Sequence, residues 1–319
     1  MNRNVLSRRV LAGTALAALA LTGCSSNDGS SGNNASGKLS GAVTADGSST
    51  VAPLSEAAAT LYKEAQPQVN VAVGTSGTGG GFEKFCKGET DISNASRSIK
   101  DSETAACEAA GIKYVELVVA NDALTVVVNK DNSFIDCLTT DQLKKIWEPN
   151  STIKKWDEVD PNWPAEQIAL FGPGTDSGTF DYFTDEINGE EGANRADYTA
   201  SENDNVLVQG VSGSKYGLGY FGYTYYEENA DKLKAVKIDA GSGCVDPSQD
   251  NVLNGTYKPL SRNLFLYVSD AGIKKPQVAD FVDFYIENID EIVEAAAYIP
   301  LGDEQKAQLT SAFESLKSS

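Results

Sequence analysis

Three short stretches of the chain carry the same chemistry. They read DGSSTV at 46–51, GTSGTGGGF at 74–82 and GPGTDSGTF at 172–180. Small residues let a ligand approach backbone N–H groups, and Ser or Thr hydroxyls add donors. Where such a loop leads into a helix, the unpaired N–H groups of the first turn and the helix dipole favour an anion. A micromolar site needs only about 8 kcal/mol. Hydrogen bonds to a charged group contribute roughly 1.5–3 kcal/mol each before binding costs, so about eight aimed donors suffice. Other chemistries lack their residues. The chain has no histidine, which removes Ser-His-Asp and Cys-His catalysis. It has no G-x-S-x-G elbow and no C-x-x-C spacing for a metal. Gly81 leads into Phe82 and Glu83, so the second stretch is not a Walker A loop, and G-x-G-x-x-G is absent.

The elements around these stretches alternate strand and helix. The segment 38–47 reads as a strand, and 48–66 as a helix. Val51, Leu54, Ala58, Leu61 and Ala65 share one face of that helix, Ser49 or Thr50 caps it, and Pro67 stops it. Val69, Val71 and Val73 alternate as in a strand. A short helix is expected over 82–88, after a glycine loop. Further on, 91–97 reads as strand and turn, 102–111 as a helix, and 114–129 as a long buried strand broken near Asn121. A strand ends at Phe171 and a helix runs from near Ser177 to Gly189. The segments 216–233 and 260–270 add strands, and amphipathic helices fill the C-terminal part. This alternation predicts an α/β protein with mainly parallel sheet. All three stretches fall at carboxyl ends of strands, where open α/β sheets bind ligands.

The first residues are not part of the fold. Arg3, Arg8 and Arg9 precede a short run of small and apolar residues ending in LTGC. A basic start, a short apolar core and a small-residue exit describe a secretory signal over 1–23. The exit resembles a lipobox, which predicts lipidation of Cys24 and a lipid anchor on the outer face of the cell membrane. The SRRVL stretch at 7–11 resembles a twin-arginine signal more loosely. Residues 24–38 lack large apolar side chains, so they form a flexible tether. The formal charge is −19, and loss of the three leader arginines makes the body more acidic still. No Lys/Arg cluster survives, which excludes nucleic acid and anionic membranes as partners. Cys86, Cys107, Cys137 and Cys244 form an even set in an exported chain, hence two disulfides with three possible pairings. Cys86–Cys107 and Cys137–Cys244 are favoured because each pair falls within one plausible domain.

Taken in order, DGSSTVAPL, GTSGTGGGFEKF, DISNASRSIK, STIKKWDEVDP and GPGTDSGTFDYF resemble the phosphate-binding lipoproteins (PstS-type) of bacterial high-affinity phosphate ABC transporters. The resemblance covers roughly 40–315. It implies a type II periplasmic-binding-protein fold of two α/β lobes joined by two strand crossings, near 118–124 and 260–266. Lobe one would be 39–120 plus 264–319, and lobe two 121–263. It implies a monomeric binder without enzymatic activity or cofactor, whose partners are inorganic phosphate and a membrane permease.

Carried over position by position, the resemblance places ligand donors at Ser49 and Thr50 in the first loop. Thr78, or Ser76 in another register, serves the second loop, and Ser177, Gly178 and Thr179 the third. Two positions depart from the pattern. Some members carry an Asp where this chain has Arg97, and an Arg where it has Pro173. Arg97 is then expected either to bind the ligand bidentately or to form a structural ion pair. Asp176 or Asp46 is expected to replace the missing carboxylate, which selects protonated phosphate by repelling sulfate; each can instead act as a helix cap. The rival readings are a binder of sulfate or another oxyanion, and an exported phosphate-ester hydrolase.

Overall fold

A computed structural model describes residues 38–318. The expected signal, Cys24 and the tether up to residue 37 lie outside the described residues. The chain opens with β1 (Gly41–Gly47), α1 (Ala52–Ala65), β2 (Val69–Gly74), α2 (Gly77–Phe85), β3 (Ile92–Ala95), α3 (Asp101–Ala109) and a long β4 (Tyr114–Asn129). It continues through β5 (Cys137–Thr139), α4 (Thr140–Trp147), β6 (Ala169–Gly172), α5 (Gly178–Phe183), β7 (Thr199–Ala200), α6 (Asp204–Gly213), β8 (Gly217–Gly222) and α7 (Tyr223–Glu228). Next come β9 (Leu233–Ala235), β10 (Lys237–Asp239), β11 (Cys244–Val245), α8 (Gln249–Leu253) and β12 (Ser261–Ser269). Four helices finish the chain: α9 (Asp270–Ile273), α10 (Pro276–Glu287), α11 (Ile289–Ala295) and α12 (Asp303–Lys317). Among the described residues, no helix is long and apolar enough to cross a membrane.

The main sheet runs β2-β1-β3-β12-β4-β8-β6-β7, with β9 also paired to β4. Its flanks are parallel, as expected: β1 pairs β2 and β3, and β6 pairs β7 and β8. Its centre is antiparallel, because β12 runs against both β3 and β4. The expected break at Asn121 is instead a change of partner within one continuous strand. β4 pairs β12 up to Ala123 and β8 from Leu124 onward.

Two large apolar clusters lie on either side of that change. One gathers Val43, Leu54, Tyr62 and Leu117 with Leu264, Phe281, Ile292 and Phe313. The other gathers Leu124, Leu143, Trp147, Phe183, Tyr220, Ile238 and Tyr257, with Ile299 as its late contributor. The chain thus returns to its first core through β12. The disulfides are Cys86–Cys107 and Cys137–Cys244, the two expected pairs.

Two helix starts differ from expectation. α1 begins at Ala52, with Val51 rather than a hydroxyl residue at its cap. The Ser48 carbonyl accepts from both Val51 and Ala52 N–H, so a turn leads into the helix. α2 begins at Gly77, and the glycine run is itself helical. Each glycine costs a helix roughly 1 kcal/mol relative to alanine, and tertiary packing overrides that here. A Cβ on Gly81 would lie 2.5 Å from Gly47 Cα, so only glycine lets α2 pack this close to β1. Phe82 and Phe85 are then fully buried.

Candidate functional site

The loops after β1, β2 and β6 face one cavity of about 720 Å³. Ser48, Ser49 and Thr50 line it from the first loop, and Ser76 to Gly79 from the start of α2. Gly178, Asp181 and Tyr182 line it from α5, and Arg262, Asn263 and Phe265 from β12.

Gly47 begins the first loop at a φ of 140°, and a Cβ there would meet the Asn94 carbonyl oxygen at 2.1 Å. This approach lets Ser48 N–H donate to Asn94 O at 2.9 Å. The next two amides, of Ser49 and Thr50, have no acceptor among the described residues. The Thr50 carbonyl is held by Tyr298 Oη at 2.7 Å. Its Oγ1 accepts from Arg262 Nη2 at 3.1 Å, which leaves the Thr50 hydroxyl proton free to donate.

In the second loop, Ser76 donates through both N–H and Oγ to Asp46 Oδ1. Asp46 Oδ2 pairs with Lys84 Nζ at 2.6 Å. Burial raises the Asp46 pKa, but these bonds together hold it below the usual carboxylate value. Asp46 therefore positions the loop from beneath, and the Ser76 proton is committed to it. Thr78 Oγ1 accepts from Ser96 N–H at 3.2 Å and shares a hydrogen bond with Ser96 Oγ at 3.1 Å. The N–H groups of Gly77, Thr78 and Gly79 occupy the first turn of α2, where a helix offers them no carbonyl.

The third loop divides its residues. Gly178 lines the cavity. Ser177 Oγ caps α5 by accepting from Thr179 N–H at 3.2 Å. Thr179 lines a second cavity of about 310 Å³, with Pro53, Asp122 and Asp204. Asp176 is exposed, its N–H directed to Glu202 Oε1 at 3.3 Å. The structure thus brings Ser49, Thr50, Ser76, Thr78, Arg97 and Gly178 to one cavity, and leaves Asp176, Ser177 and Thr179 outside its lining.

Two arginines border the cavity in different states. Arg97 grips Glu103 with both terminal nitrogens at 2.8 Å, and Nη1 also reaches Ser98 O at 3.1 Å. The Glu103 bond raises its pKa further. Arg262 lies on β12, its Nε 3.1 Å from Asp122 Oδ2 and its guanidinium 3.8 Å from the Tyr182 ring centroid. Nη2 reaches Gly178 O at 3.4 Å as well as Thr50. Burial raises the Asp122 pKa while Arg262 opposes the rise. The motif reading passes over Arg262. The available signal is a lone arginine near the start of a strand that turns largely apolar after Asn263, at an expected crossing.

Asp181 supplies a carboxylate that the motif reading also passes over. It stands one turn into α5, half-buried, and no hydrogen bond engages its carboxylate among the described residues. Burial pushes its pKa to about 6, Glu191 adds to the rise and Arg262 opposes it. Asp185, Glu186 and Glu191 line the same side.

Residues 32–288 match the sequence pattern of the PBP superfamily domain. Protein SphX of Synechococcus elongatus is 49% identical over 278 residues, 86% of this chain and 82% of that one. The phosphate-binding protein PstS of Staphylococcus saprophyticus is 42% identical over 269 residues, 83% of this chain and 82% of that one. The crystal structure of a possible phosphate binding protein from Planctomyces limnophilus matches with a TM-score of 0.84 at 49% identity, over 87% of this chain and 99% of that one. The pattern spans most of the chain and the relatives match nearly all of its folded part, so the chain belongs to the PBP superfamily and, within it, to the PstS-type phosphate-binding proteins.

Proposed function

We propose that this chain is an extracytoplasmic solute-binding protein that captures inorganic phosphate and delivers it to the permease of an ABC transporter. The observation that carries the reading is the convergence of three donor-rich loops on one cavity, with the Ser49 and Thr50 amides unpaired there. Those amides, the Thr50 hydroxyl, the first-turn amides of α2 and the Gly178 amide surround the anion. Ser76 orients its loop through Asp46, and Thr78 faces the ligand with Ser96. The two large cores act as lobes, 39–120 with 264–319 and 121–263, and β4 and β12 are the crossings between them.

The chemistry is capture without covalent change. Charge alone does not explain it, because the cavity wall carries Asp181, Asp185, Glu186 and Glu191 beside its cations. Aimed hydrogen bonds to a charged group, each roughly 1.5–3 kcal/mol, supply the affinity. Asp181 takes the role expected of Asp176 or Asp46. Ionised at neutral pH, it accepts the proton of hydrogen phosphate and repels sulfate, which has none to offer. Lipidation at Cys24 tethers a monomeric body to the outer face of the membrane.

Calorimetric titration of residues 38–319 with phosphate tests the reading. One site per chain with micromolar or tighter affinity is expected. Absence of binding, or steady turnover of a phosphate ester, would overturn it.

A further inference from the structure

Arg262 is fastened to both halves of the molecule at once. Its strand register sets it opposite Asp122, beside the point where β4 changes partners. Its side chain is only 16% exposed and that of Asp122 only 6%. Nη2 touches Thr50, whose loop enters α1 in the first core. The same nitrogen touches Gly178, and the guanidinium covers Tyr182, both on α5 of the second half. The two remaining N–H groups, on Nη1, have no acceptor among the described residues, although Arg262 lines the cavity. Arg97 lines the cavity too and also keeps two N–H groups without an acceptor among the described residues, on Nε and Nη2, but it is fastened differently. Both its terminal nitrogens are taken by Glu103, and no hydrogen bond of its side chain reaches the second half.

We infer that Arg262 is a ligand-binding and closure residue: Nη1 takes the oxyanion while Nε and Nη2 hold Asp122, Thr50 and Gly178, so the captured charge draws the two halves together. The inference rests on the proposed phosphate capture. A guanidinium suits the task because its planar fork holds several acceptors in fixed directions, which a lysine ammonium does not. Asp122 balances the charge when the cavity is empty, since a buried cation without a partner is costly. By donating to Thr50 Oγ1, Arg262 also turns the Thr50 proton toward the cavity.

The test titrates phosphate into wild type, Arg262→Lys, Arg262→Gln and the doubly neutral Arg262→Gln/Asp122→Asn, and follows closure by small-angle scattering. Affinity is expected to fall about tenfold for Arg262→Lys and about a hundredfold for both Gln variants, with the phosphate-induced compaction lost. The double variant covers the case in which Arg262→Gln alone unfolds, because it leaves no unpaired buried charge. A purely structural Arg262 would lower the melting temperature and leave affinity intact. Folded Gln variants that bind within about threefold of wild type and still compact overturn the inference while leaving phosphate capture standing. A wild-type chain that binds no phosphate overturns both.

Discussion

Gly178 stands so close to Thr50 that a Cβ built on it would lie 2.1 Å from the threonine Oγ1 and 3.2 Å from its Cα. Thr50 lies in the loop before α1 and Gly178 opens α5, and both line the cavity, so the contact joins two of its three donor loops. Gly178→Ala should therefore push these two loops apart and disturb the cavity, because neither residue belongs to the two large apolar clusters. The expected result is at least a tenfold loss of phosphate affinity, about 1.4 kcal/mol, with little change in the ligand-free melting temperature. Unaltered affinity would mean that the bound state does not bring these loops into contact.

Asp181 should control selectivity. Asp181→Asn removes the repulsion of a fully ionised oxyanion and keeps a group that can hydrogen-bond. Phosphate affinity at about pH 7.5 should fall, and sulfate affinity should rise from undetectable to measurable. Parallel titrations with the two anions check this. A variant that rejects sulfate as firmly as wild type would move the selectivity elsewhere in the cavity.

Asp181 also makes a stability claim with a definite sign. Its folded pKa, about 6, lies above the ordinary carboxylate value of about 3.9. The folded state therefore holds the proton more tightly than the unfolded one. Stability from this group is greatest below the ordinary value, declines as pH rises through about 6, and is flat above it. Asp204, raised to about 6 by burial and by Glu202, adds in the same direction. In phosphate-free buffer, the gain in melting temperature from Asp181→Asn should be larger at about pH 7.5 than at about pH 5. The opposite order would refute the burial of its charge.

The two disulfides should not be equivalent. Cys86–Cys107 closes a separation of 21 residues and Cys137–Cys244 one of 107. Chain entropy alone assigns about 3 kcal/mol to a loop near the first length and almost 5 kcal/mol to one near the second. Replacing Cys137 and Cys244 by serine should lower the denaturation midpoint more than replacing Cys86 and Cys107. Denaturant unfolding of the two paired variants decides the order.

How much was legible in the sequence follows from the range of each interaction. The three donor loops were readable because each is a local pattern of glycine and hydroxyl beside a strand. The disulfide pairs followed from plausible domain extents. Arg262 was not readable as a site residue, because its meaning comes from Asp122, Thr50 and Gly178, all remote in sequence. The start of α2 was misplaced because glycine propensity argues against a helix, while the need to fit against Gly47 decides the matter. Thr179 fell on the second cavity because Ser177 caps α5 and sets the helical phase of the residues after it. Asp46 looked free to meet a ligand until Lys84 and Ser76 were seen to occupy it.

The most direct measurement is a calorimetric phosphate titration of residues 38–319 at about pH 7.5, made with and without a large excess of sulfate. Donor loops gated by Asp181 require one phosphate per chain, micromolar or tighter, with an affinity unchanged by sulfate beyond simple ionic-strength effects. Phosphate binding abolished by sulfate, or absent in both titrations, would contradict phosphate-selective capture.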